Sequence, residues 1–228
     1  MKRFVRHLLV VLIVVIWIGA VVYPSPRPFI VSIERLRRPP LDPAAAADLA
    51  ATLPNDYKAI EDFVAGYVPW TPAWTVYNLP WYFPTVKETL EHRAGDCQAQ
   101  ATLMASILEA KGMKYTLMYS LDHVWVDYPG RAVTKLEDPA TSFVANAGSG
   151  WLGFLPKKLP LWTIIKTRVN YHWTPMPFPQ KLLIVLGSLV IIGYGHRRFF
   201  SRRLLWWPLA ASRSDVPGSL ACGRSRSR

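Results

Sequence analysis

The chain has 228 residues, room for one modest domain with extensions, and carries 27 Lys and Arg against 15 Asp and Glu for a net charge of +12. That excess sits at the ends: residues 1–23 supply +3 and residues 182–228 supply +7, leaving +2 for residues 24–181. A middle so near neutrality excludes a basic nucleic-acid groove, and no nucleic-acid partner is expected.

The basic residues at both ends flank apolar runs. From Leu8 to Tyr23, LLVVLIVVIWIGAVVY is uncharged, and with Phe4 to His7 it approaches the ~20 residues a bilayer requires. A cleaved signal peptide has the same basic start and apolar stretch, but GAVVYPSP offers no clear small-residue cleavage site. An N-terminal transmembrane anchor is expected over residues 1–25.

Residues 26–54 read as a proline-rich linker and lead-in, because PSPRPFIVSIERLRRPPLDP (24–43) is stiffened by its prolines. The folded domain is expected over 55–155. It opens on NDYKAIEDFVAGYV, with Asn55 as N-cap and Tyr57, Ile60, Phe63, Val64 and Tyr67 on one helical face. An aromatic, proline-broken loop follows. Thr85 and Glu88 form a capping box that opens a short helix to about Arg93. The next helix runs from about Asp96 to Lys111, with Gly112 suited to its C′ position.

The periodicity then changes from 3.6 to 2. Residues 113–121, 123–128 and 131–137 are expected as successive strands, the last two joined at Pro129-Gly130, and ANAGSGWLGFLP as loop. A juxtamembrane segment is assigned to 156–178, with an amphipathic stretch over 157–173. A second transmembrane helix is assigned to 179–199, built on LLIVLGSLVIIGYG. The basic, Ser- and Gly-rich tail, 200–228, is expected to be disordered. Lys and Arg on the terminal side of each apolar run place both termini in the cytoplasm and the domain across the inner membrane, periplasmic or extracellular.

The chemistry concentrates at EHRAGDCQAQATLMASILEAKG (91–112). Cys222 lies in the tail, so Cys97 is a lone thiol in the domain with no disulfide partner. A helix N-terminus favours thiolate over thiol and offers N–H groups to an oxyanion, although a cysteine among Ala and Met also serves as packing. His123, at the head of a strand, is the available base. Asp122, Asp127 and Asp138 could orient it. If Tyr128 pairs with Arg131, His123 faces Leu136, and Asp138 lies diagonally on the same face within ~7–8 Å. Asp127 is about 13 Å along its own strand, and Asp122 points to the other face. Asp138 is the geometric choice in that register.

These segments, ETLEHRAGDCQAQATLMASILEAKGM, DHVWVDYPGR and LEDPAT, resemble the transglutaminase-like cysteine hydrolase superfamily over about Asp56 to Thr141. The resemblance rests on a G-x-C helix start, a later H-x-W and an Asp-Pro. It implies Cys97 as nucleophile, His123 as general base and acid, and Asp138 as the orienting carboxylate. It also implies an α+β fold with a papain/transglutaminase-like core, a nucleophile helix packed on a small antiparallel sheet, here tethered by two membrane helices. Gln98 and Gln100 depart from the acidic or aromatic residues usual after the cysteine and alter the substrate groove.

The implied activity is thiol-dependent acyl transfer on peptide or protein amides, those of the cell envelope among them, by hydrolysis rather than cross-linking; the alternative is a non-catalytic module that binds a protein or envelope partner. Trp70, Trp74, Trp81 and Tyr82 read either as an acyl-groove wall or as a membrane-facing lid. His92 reads as a surface residue, His172 as interfacial, and Thr134 and Thr141 as ordinary strand and turn residues. No metal or cofactor is expected, since one thiol and scattered histidines match no zinc spacing and NAGSGWLG lacks the features of a phosphate loop.

Overall fold

A computed structural model describes residues 2–121, 123–134, 137, 142, 144–146, 151–153 and 161–204. The helices are α1 (Lys2–Val22), α2 (Arg27–Arg37), α3 (Ala47–Thr52), α4 (Tyr57–Tyr67), α5 (Ala73–Tyr77), α6 (Val86–His92), α7 (Cys97–Ala110), α8 (Leu161–His172) and α9 (Phe178–Leu204). The strands are β1 (Thr116–Tyr119), β2 (Val124–Asp127), β3 (Val144–Asn146) and β4 (Trp151–Gly153), in one antiparallel sheet of order β2-β1-β3-β4. The expected mix of helices and a small antiparallel sheet is present. Among the described residues two helices are long and apolar enough to cross a membrane, over Phe4–Val22 and Phe178–Gly195.

The chain divides into two compact units, Ile18–Val185 and Met1–Trp17 with the chain from Leu186 onward. In the second of these the terminal helices come together at glycines. A Cβ on Gly187 would run into the Trp17 indole, and one on Gly195 into Val10. Such close approach at small residues is how apolar helices associate where no water drives them together.

In the larger unit α7 is the central element. Asp96 caps it, its Oδ1 accepting from Gln98 N at 2.9 Å and Ala99 N at 3.3 Å. Gly112 ends it at φ +66°, a conformation glycine adopts at no steric cost. The helix is buried on almost every side: Ala99, Leu103, Ala105, Ile107 and Leu108 have no exposed surface. It packs against α3, α4 and α6 on one side and β2 on the other. Each Leu or Ile so buried contributes roughly 1.5–3 kcal/mol, enough to make this helix the core of the domain.

The capping box at Thr85 and Glu88 forms as its sequence requires, and Arg93 closes α6 in the left-handed region at φ 48°. α4 is capped by Asp56, one residue later than expected, because Asp56 Oδ1 reaches Ala59 N at 2.7 Å.

Three expectations are corrected. The segment read as a stiff linker contains α2, since its prolines at 26 and 28 fall at the N-cap and in the first turn, where a missing N–H breaks no helical bond. Residues 131–134 are not a strand. Arg131 N bonds Tyr128 O at 3.2 Å, and the Arg131 side chain turns inward to Glu61 and Glu137, which pulls the chain off the sheet. Among the described residues β2 is therefore an edge strand, and the second neighbour of β1 is β3, in a stretch read as loop. The tail from 205 onward lies outside the described residues.

Candidate active site

Cys97 is the first residue of α7, partly buried, directly after its cap. Its position is fixed from below by Gly95. Thr71 N donates to Gly95 O at 2.8 Å, Gly95 N donates to Pro69 O at 3.4 Å, and a Cβ on Gly95 would run into Ala99. This G-D-C start brings the chain against its own helix more closely than any other residue allows.

His123 is placed by a tight hairpin. Tyr119 pairs with Val124, and Ser120 N donates to His123 O at 2.9 Å while His123 N donates to Ser120 Oγ at 3.0 Å. The imidazole, just ahead of β2, stacks on Trp125 two residues on, with ring centroids 5.9 Å apart. Its Nε2 lies 3.1 Å from Glu137 Oε1. The other Glu137 oxygen lies 2.8 Å from Arg131 Nη2, and Arg131 also holds Glu61 at 2.9 Å. Glu61 in turn accepts from Tyr128 OH at 3.0 Å. Thr134 ties the loop: Glu137 N donates to Thr134 Oγ1 at 3.2 Å. Burial alone would raise the Glu137 carboxyl, but hydrogen bonds from His123 and Arg131 outweigh it and hold it down to about 2.

Two cavities meet at Cys97, His123 and Val124. The larger, about 660 Å³, is on balance acidic: Asp56, Glu61, Asp62 and Glu137 line it against Lys58 and Arg131. The other, about 500 Å³, is walled by Leu36, Trp70, Trp81, Tyr119, Leu121 and Tyr171, with Arg168 the one Lys, Arg, Asp or Glu in its lining among the described residues. Gln98 also lines it, is 92% buried, and its Oε1 has no hydrogen-bond partner among the described residues.

The thiol does not have the environment expected of a helix N-terminus. Burial pushes the Cys97 thiol up to about 12, the Asp96 carboxylate beside it adds to the rise, and the Val124 N–H and Arg168 charge oppose it only partly. Among the described residues no hydrogen bond joins the thiol to the His123 ring. Resting Cys97 is a neutral thiol, so the thiolate favoured by the macrodipole is not the ground state. Asp96 also occupies two of the N–H groups that would otherwise face an oxyanion.

Cys97 and His123 are thus brought to one site. Asp138, Asp122 and Thr141 lie outside the described residues, while Asp127 ends β2 without reaching either cavity's lining. Of the four aromatic candidates Trp70 and Trp81 line the apolar cavity. Trp74 is buried with Met176 and Ile184 and donates its Nε1–H to His172 O at 2.8 Å, and Tyr82 bonds Arg35 and Glu88. His92 stacks edge-on against Tyr77, away from both cavities.

Sequence reasoning missed Glu137, Arg131 and the contacts that the expected amphipathic stretch, here α8, makes at the site. From α8 Tyr171 donates its hydroxyl to Asp96 Oδ2, Arg168 donates to Leu121 O, and His172 Nδ1 meets Pro80 O at 2.9 Å. Burial raises the carboxyl of Asp96, against the hydrogen bonds it accepts from Tyr171 and the helix N–H groups. The adjacent acids in KLEDPA were a signal for Glu137. None was available for Tyr171, 75 residues from its partner.

No protein-family model matches the chain, and no curated protein matches it.

Proposed function

We propose that this is a membrane-anchored, thiol-dependent acyl-transfer enzyme of the transglutaminase-like kind, acting on amides of peptides or proteins by hydrolysis rather than cross-linking. The observation that carries the reading is the meeting of Cys97 and a carboxylate-held His123 where two cavities join. With Nε2 on Glu137, Nδ1 is the ring nitrogen without a partner among the described residues. It takes the thiol proton as Sγ attacks the carbonyl carbon, and returns it to the leaving amine as the C–N bond breaks. Water, deprotonated by the same ring, then hydrolyses the thioester. A thiol–imidazole contact that closes only with substrate is ordinary for such sites. The carboxylate keeps the ring in the tautomer this requires.

In this reading the two apolar helices span the inner membrane with both termini cytoplasmic, and the domain faces the periplasm or exterior and an envelope substrate. Release of fluorescent amine from N-acyl aminocoumarin amides by the full chain in detergent tests the chemistry. Loss in both Cys97→Ala and His123→Ala supports it, and release retained by Cys97→Ala overturns it. A second reading, a non-catalytic module that binds an envelope partner, is favoured by the raised thiol. Failure of every amide with Cys97 unmodified would select it.

A further inference from the structure

We infer that the acyl group this site receives is a long hydrocarbon chain, drawn from the membrane into the cavity between α2, α8 and Cys97. The inference rests on the acyl-transfer reading and names its substrate class.

The walls carry it first. One side of Cys97 opens to Leu36, Trp70, Trp81, Leu121 and Tyr171, in a cavity of about 500 Å³, within the range of small-molecule sites and apolar as such sites are. The other side opens to an acidic cleft. An acyl chain and a polar leaving amine are therefore sorted to opposite sides of the same sulfur. The cation in the apolar wall, Arg168, matches the carboxylate that hydrolysis would release there.

The connections carry it further. Of the three helices in that wall, α2 and α8 each adjoin a membrane-length helix. Leu36 lies on α2, which begins at Arg27, five residues after α1 ends at Val22. Trp81 is held by Tyr23, the residue following α1, whose hydroxyl donates to Trp81 O at 2.7 Å, and it packs edge-on against Phe29 of α2. Arg168 and Tyr171 lie on α8, which leads into α9.

Both helices also present apolar side chains outward. Phe29, Ile30 and Ile33 on α2, and Trp162, Ile165 and Val169 on α8, are each 40% or more exposed, at helical spacing. Faces of this kind, beside membrane spans, lie in the lipid interface. In this inference the chain passes between them from the bilayer to Cys97.

The step balances without a further reactant. Cys97 Sγ bonds the chain's carbonyl carbon, the C–N bond breaks, and the amine leaves with the proton His123 took from the thiol. Water then cleaves the thioester to a fatty carboxylic acid and restores the thiol.

The test measures acylation of Cys97 by intact mass, in the full chain in nanodiscs, with 4-nitrophenyl acetate, butyrate, octanoate, palmitate and phenylacetate. The expected result is a rate that rises with chain length, at least about tenfold from acetate to palmitate, as each buried methylene adds binding. Thr167→Trp, which fills the cavity wall, should move the optimum to a shorter ester. A flat or falling profile overturns the inference while leaving the nucleophile intact. A maximum at phenylacetate overturns it in favour of an aromatic peptide side chain. No adduct with any ester overturns it together with the acyl-transfer reading. Because the wild-type profile decides, a Thr167→Trp protein that fails to fold changes nothing.

Discussion

His123 Nε2 stands 3.1 Å from Glu137 Oε1, and the second oxygen of that carboxylate stands 2.8 Å from Arg131 Nη2. One acid thus links His123 to a cation that α4 also holds, through Glu61 at 2.9 Å. Among the described residues, His123 is met by a three-residue chain, Glu137, Arg131 and Glu61.

Removing the charge from Glu137 tests that link. Glu137→Gln should lower turnover of an amide probe by about 100-fold or more, the usual scale for disabling acid–base catalysis. Asp138→Asn should cost much less. A larger loss from Asp138→Asn would assign the orienting role to Asp138.

The same carboxyl sets a pH dependence. Its value falls from the ordinary 4.5 to about 2 on folding, so its contribution to stability is complete above about 4.5 and disappears as pH falls toward 2. Thermal unfolding of the wild type should weaken across that interval more steeply than that of Glu137→Gln. Parallel curves would mean that the carboxylate gains nothing from His123 and Arg131.

Arg131→Ala leaves two carboxylates facing each other without their cation. Removing one partner of a fully buried pair costs about 3–5 kcal/mol, and the cost here should fall somewhat below that, since the partners keep 10–24% exposure. Denaturant unfolding measures it. Turnover should fall as well, because Glu137 loses the contact that aims it.

Gly95→Ala places a Cβ against Ala99 at the foot of the Cys97 helix. Overpacking of this kind costs about 1–3 kcal/mol. The displaced helix start should also slow amide turnover more than the stability loss explains, which activity well below the unfolding temperature would separate.

What the sequence displays, and what it hides, follows from chain distance. Thr85 with Glu88, Asp96 with Cys97, and Gly112 after α7 are local signals, and each forms as read. The proline-bearing 24–43 stretch misleads because Pro26 and Pro28 stand where a helix tolerates them. The orienting partner depended on register beyond a hairpin. The period-2 pattern of 131–134 could not reveal that Arg131 would leave the strand for Glu61, 70 residues away. β3 beside β1, and Tyr171 on Asp96, are likewise distant pairings that no local periodicity encodes.

The raised Cys97 thiol has its own consequence for reactivity. In the absence of substrate, iodoacetamide labelling should be slow at neutral pH and rise about tenfold per pH unit without levelling at the ordinary thiol value, since the thiol titrates near 12. A plateau at or below neutral pH would instead establish a resting thiolate–imidazolium pair.

The most direct measurement is the capture of an acyl-enzyme. The full chain in detergent, mixed with an acyl amide and quenched in acid, is weighed intact before and after hydroxylamine. A hydroxylamine-labile acyl adduct should appear on the wild type, be absent from Cys97→Ala, and form far more slowly in His123→Ala. An adduct of equal extent on Cys97→Ala, or none on a wild type that still turns over the amide, would remove Cys97 as the nucleophile.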